Sequence, residues 1–188
     1  MKKSLSVILA AALCLFLCGI LPAWGAAGAG DTVTMNSAGL SFTPTELIRN
    51  AAGTVVTNGE VPLGEDRYMA IWLYYPMTEE EYAAAAASAE GLADVPCVML
   101  FCAFSLGGNL GFHEYNKEYL DETFPTDYVH VIGHEGEQLF YLFMPPADRD
   151  FAASLPAEYR AEYQALAEDT EQTVAAFTGF APVRAQDE

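Results

Sequence analysis

Two stretches of this chain are apolar on both faces of a strand, and they limit the folds open to it. From Arg67 to Tyr75, the residues Tyr68, Ala70, Trp72 and Tyr74 line one face and Met69, Ile71, Leu73 and Tyr75 the other. Val95 to Phe104 is a second such run. A strand without a polar face must be covered on both sides. Both runs therefore read as central strands of a buried sheet, and the segments around them supply its cover.

Leu40–Phe42 reads as a short strand, and Thr43-Pro44 as the cap and first position of a helical turn. Gly53–Thr57 is a short β segment, and Asn58-Gly59 after it is a turn dipeptide. Thr78-Glu79-Glu80-Glu81 forms a capping box. The alanine-rich run from Tyr82 to Ala89 predicts a helix that packs closely through small side chains and closes at Gly91. A further helix is expected over His113–Thr123, with Phe112, Tyr115, Tyr119 and Leu120 on one side. Tyr128–Ile132 and Gln138–Met144 read as strands of a hairpin turned by His134–Glu137. After Pro156, the residues Tyr159, Tyr163, Leu166, Thr170, Val174 and Phe177 recur with helical spacing up to Gly179.

The order is β-α-β-α-β-β-α. It predicts an α+β fold: a single antiparallel or mixed sheet of four to five strands with helices packed on it. Residues 1–29 are expected to be a signal peptide, 30–180 a single domain and 181–188 a disordered tail. Lys2 and Lys3 precede the apolar run Leu5–Leu21, Pro22 breaks it, and Ala27-Gly28-Ala29 suits a peptidase that accepts small side chains. An uncleaved anchor and lipidation at Cys18 are the alternatives. Export to the periplasm or the exterior follows, with no membrane span after cleavage.

The chain holds 26 acidic and 8 basic residues, a formal charge of −18. Loss of residues 1–29 removes Lys2 and Lys3 but no acid, which takes the charge to −20. Such a surface repels phosphate backbones and excludes a nucleic-acid partner. It suits an unidentified protein or small-molecule partner in the cell envelope. Of the four cysteines, Cys97 and Cys102 remain after cleavage. Five residues apart on one strand, they are expected on opposite faces and unable to bond to each other. Burial of both is the plainest expectation, with a reactive or intermolecular thiol, or a disulfide that requires a different local structure, as the alternatives.

Chemistry has four footholds. Ser105-Leu106-Gly107-Gly108-Asn109-Leu110-Gly111 lies between a strand and a helix, where exposed N–H groups hold anions. Ser105, Asn109 and His113 are the catalytic candidates if the protein is an enzyme with its site at that loop. Ser105 could form a triad with His113 or His130 and Asp127, but the chain has no G-x-S-x-G elbow. His130 and His134 are the candidate metal ligands. On a plain strand they share one face about 13 Å apart, too far for one ion unless the turn curls back. His113 or Glu137 would complete such a set. Glu135 and Glu137 form a possible carboxylate pair on a turn. No cofactor is expected.

Four segments together carry a resemblance: Gly39–Pro44, Tyr74–Tyr82, Leu100–Gly108 and Pro156–Tyr159. The chain resembles an uncharacterised exported module found in some anaerobic bacteria ahead of thioredoxin-like redoxin domains. The resemblance implies an accessory role near extracytoplasmic thiol chemistry and assigns no catalytic residue. No C-x-x-C stands in this sequence. The reading favours a non-catalytic binding, interaction or redox-accessory module over an enzyme of unrecognised type or a metal-binding protein.

Overall fold

The computed structural model describes residues 32–35, 40–57, 61–64, 67–88, 91–92, 94–105, 128–135, 138–147 and 152–179. The expected signal peptide, the loop at Gly107–Gly111, the helix over His113–Thr123 and the C-terminal tail lie outside them. The elements are β1 (Val33–Met35), β2 (Leu40–Phe42), α1 (Glu46–Arg49), β3 (Thr54–Thr57), β4 (Val61–Gly64), β5 (Arg67–Tyr75) and α2 (Glu79–Ala87). After them come β6 (Val98–Ser105), β7 (Val129–Glu135), β8 (Gln138–Phe143), α3 (Ala157–Glu168), α4 (Thr170–Ala175) and β9 (Phe177–Thr178).

The class is α+β. One antiparallel sheet runs β3-β5-β6-β8-β7, with β4 added alongside β5 to make six strands. The strands apolar on both faces, β5 and β6, are central in it. A second antiparallel sheet, β1-β2-β9, was not expected. It lies over the inner face of the larger sheet, where Phe42 meets Trp72, Phe101 and Phe177 with ring centroids 4.9–5.2 Å apart. Leu40, Phe42, Trp72, Tyr74, Leu100, Phe101, Phe140 and Leu142 are all at most 2 % exposed in this main core.

Both β3 and β4 pair antiparallel with β5, Thr57 opposite Trp72 and Val61 opposite Met69. They occupy the same side of β5, because β6 takes the other. β3 and β4 therefore run in the same direction along β5. Asn58-Gly59 itself lies outside the described residues. The hairpin closes instead between Gly64 and Arg67, which pair with each other.

The capping box of α2 forms as expected. Glu81 N–H donates to Thr78 Oγ1 (3.3 Å), and Thr78 N–H donates to the Glu81 carboxylate (2.8 Å). The Thr78 donors hold the Glu81 carboxyl below its ordinary range. The close packing expected of this helix does not occur, since none of its residues is buried. Alanine offers too little area to draw the helix down. Its anchor is Tyr82, whose ring packs edge-on against Tyr75 at 5.0 Å. The helix stops at Ser88, which turns to an extended ψ of 160°. Gly91, at φ 61°, lies beyond that stop.

The expected C-terminal helix is two helices. Asp169 leaves helical geometry (φ −79°, ψ 49°) and restarts the phase. Tyr163, Leu166 and Ala167 are buried on α3 as one stripe. On α4 the buried residue is Thr173, whereas the unbroken spacing pointed to Thr170. The break delivers Phe177 to the core as part of β9, and Thr43 N–H donates to the Ala176 carbonyl to hold the join.

Candidate functional site

Among the described residues, the tightest set of converging polar groups gathers around Glu162. It projects from α3 into the turn between α1 and β3. One carboxylate oxygen accepts the Ala52 N–H (2.7 Å). The other accepts the Gly53 N–H (2.8 Å) and the Tyr74 hydroxyl (2.7 Å). Tyr74 stands on the inner face of β5 and is fully buried. Burial, and then the Glu162 carboxylate, push its phenol far above the ordinary value, so it stays protonated and donates. A Cβ on Gly53 would fall 2.4 Å from the Tyr74 ring and hydroxyl, and only glycine fits there. This set has the connectivity of a clamp: it ties α3 to β5 and satisfies the Ala52 and Gly53 backbone donors in the turn after α1. A buried tyrosine hydroxyl needs a partner, so inward-facing Tyr74 was the one signal in the sequence that pointed here.

Ser105 ends β6 on the inner face, opposite Phe140, and is 2 % exposed. It lies in the core rather than on an open cleft. Asn109 and His113, its expected companions, lie outside the described residues, as do Asp127 and Glu137.

His130 and His134 do not share a face. His130 pairs with Leu142, and Val131 with Tyr141. The register then shifts, so that Gly133 pairs with Phe140 and His134 with Leu139. Ile132 is the extra residue of a β-bulge, and an extra residue inverts the alternation of faces beyond it. Leu142 belongs to the inner core and Leu139 to the outer cluster. His130 thus holds an inner-face position and His134 an outer-face one, which corrects the expectation of a shared face. No group of three or more His, Cys, Asp or Glu side chains among the described residues is placed to hold a metal ion.

Burial lowers the His130 pKa below its ordinary value. A base whose folded pKa is depressed contributes stability that is present above the unfolded value, about 6.5. That contribution is lost as the pH falls through the folded value. Site-resolved NMR titration is expected to place His130 below the free-histidine value, and denaturant stability should decline as the pH drops from neutral through that window. Replacement by glutamine should remove this component of the decline. Titration of His130 at or above the free value would contradict the assignment.

The cysteines form no disulfide, as expected, but only Cys102 is buried, and a second bulge, in β6, lies between them. Trp72 pairs with Phe101 but Leu73 with Met99, so Leu100 is the extra residue in β6. Leu100 and Phe101 both belong to the inner core, and Met99 and Cys102 to the outer cluster. The Met99 carbonyl at the bulge accepts the Tyr163 hydroxyl at 3.2 Å. Cys97 precedes β6 and is half-buried, whereas Cys102 is buried, and neither forms a disulfide. Cys97 lies near Tyr82, whose phenol is raised by burial first and by that thiol second. Alkylation of the native protein is therefore expected to label Cys97 well before Cys102. Equal rates, or Cys102 first, would show the burial pattern to be wrong.

Compared with protein-family models, with curated proteins and with solved structures, this chain matches none.

Proposed function

We propose that this protein is exported and acts outside the cytoplasm as an acidic binding module, without catalysing a reaction. The observation that carries this reading is the charge of a well-packed domain. The chain has 26 acids against 8 bases. Its acids stand on a folded surface: Glu46, Glu79, Glu80, Asp94, Glu158, Glu168 and Glu171 are all exposed. A fixed negative field of this kind steers and retains cationic partners, and its effect falls with ionic strength. The α2 surface, with Glu79–Glu81 and no buried residue, supports a contact at that end of the larger sheet. The finer proposal, carried by the resemblance, is that the partner belongs to extracytoplasmic thiol chemistry. The half-buried Cys97 beside Tyr82 is where such a partner would meet a thiol.

The test is capture from the native envelope with the tagged protein at low salt, followed by a graded salt wash. A specific partner that elutes as the salt rises, and that is captured less by a variant with Glu79→Gln and Glu80→Gln, supports the reading. A partner that is indifferent to salt and to both substitutions would sink it.

A further inference from the structure

The inner face of the larger sheet has its cover among the described elements. Phe42 of β2, Phe177 of β9 and Tyr163 of α3 belong to the same buried core as Trp72 and Phe101. The outer face is buried as well. Met69, Ile71, Met99 and Cys102 form one buried cluster there, and Leu139 and Tyr141 on β8 form another, each 1 % exposed. The helix placed at this face is α2, whose Tyr82 meets Tyr75 at the end of β5. But β8 stands two strands from β5 in the sheet, and α2 has no buried residue of its own. The cover over β6 and β8 therefore comes from another part of the chain.

Strand direction says which part. β6 and β7 each pair antiparallel with β8, on its two sides, so they run parallel to one another. Residues 106–127 join the end of β6 to the start of β7. A link between parallel strands must cross a face of the sheet and needs a dozen or more residues, a length that 106–127 exceeds. Such crossovers are right-handed in about 98 % of cases. Their hand decides the face. Met144 belongs to the inner core, and its N–H donates to the Tyr128 carbonyl just before β7, at 2.9 Å. Viewed from the inner face with β8 pointing up, the Met144 side chain faces the viewer. In a strand of L-residues the N–H of such a residue points right. So β7 lies to the right of β8, and β6 to its left. Turned until β6 points up, the sheet has β7 to the left of β6. A connection that moves left is right-handed only when it passes behind the sheet, across the outer face.

We infer that the outer face of the larger sheet is the docking surface of this chain's own residues 106–127, which return over β8 as a right-handed crossover. Burial, strand direction and hand are separate observations, and they agree. The segment also has the chemistry to cover an apolar face, with Leu110, Phe112, Tyr115, Tyr119, Leu120 and Phe124. The two ends of the chain, by contrast, attach to β1 and β9, whose sheet covers the inner face. Cys102 thus owes its burial to residues 106–127. This inference does not depend on the partner-binding reading above.

The test uses the reduced full-length protein. With the methionine methyls labelled, nuclear Overhauser contacts are expected from Met69 and Met99 to aromatic rings of residues 106–127, and none from inner-face Met144 to those rings. The paired change Tyr115→Ser and Tyr119→Ser should raise the alkylation rate of Cys102 by about tenfold, with the rate of Cys97 and the circular dichroism as in the wild type. Contacts between those rings and Met144 would overturn the inference. So would Met69 and Met99 methyls that contact only residues outside 106–127, or an unchanged Cys102 rate in the folded double variant. If that variant loses its fold, the wild-type contacts alone decide.

Discussion

Replacing Phe42 by alanine is expected to destabilise the protein by about 3–5 kcal/mol. Phe42 is the central side chain between the two sheets, and it is fully buried. Its ring lies 5.0 Å from Trp72, 5.2 Å from Phe101 and 4.9 Å from Phe177. Truncation loses the transfer energy of the ring and leaves a cavity that Trp72 cannot close, because its indole is already stacked on Phe101 at 4.7 Å. For a domain of this size the loss corresponds to a fall in melting temperature of roughly 6–20 °C. Urea unfolding followed by tryptophan fluorescence measures it, with the midpoint lowered and the slope unchanged. A change below about 1 kcal/mol would mean that the three-stranded sheet does not seat on the larger one through Phe42.

Removal of the Glu162 carboxylate comes next in size. Glu162→Ala leaves the Gly53 N–H without its acceptor and the buried Tyr74 hydroxyl with only its long hydrogen bond to the Tyr159 carbonyl, at 3.4 Å. An unsatisfied buried donor costs about 1–3 kcal/mol. Water can re-satisfy the exposed Ala52 N–H, so the expected total is about 2–4 kcal/mol. The discriminating measurement is a double-mutant cycle with Tyr74→Phe. Once the hydroxyl is gone, Glu162→Ala should cost clearly less, with a coupling of about 1–2 kcal/mol. Strict additivity would show that Glu162 acts through the backbone of Ala52 and Gly53 alone.

These two sites differ in how far the sequence announces them. The strands β5 and β6 were plain because eight or nine residues of alternating or continuous apolar character carry a strong period. The Thr78–Glu81 box and the stripe at Tyr163 and Leu166 were equally local signals. Of the second sheet only β2 was legible, as the strand at Leu40–Phe42, because β1 and β9 have three and two residues. No period can be read from so few. Glu162 and Gly53 lie 109 residues apart, and only the folded chain joins them.

The candidate site residues suffered from a different ambiguity. Face assignments from spacing assume an unbroken strand, and each bulge reverses them beyond its extra residue. Leu100 brought Cys102 onto the face of Met99, and Ile132 separated His130 from His134. Neither residue type betrays a bulge, since Leu and Ile are ordinary strand residues. Asp169 acted likewise on the helical period. It is the one polar residue between Leu166 and Thr170 that could have hinted at a break, apart from Glu168, which helices tolerate well.

The partner-binding proposal rests on export. The most direct test is the intact mass of the protein recovered from outside the cytoplasm of the cell that makes it. The account predicts a chain shortened at its N-terminus by about 29 residues, with no lipid increment on the remainder. A recovered chain that still carries Met1, or protein found only in the cytoplasmic fraction, would contradict it.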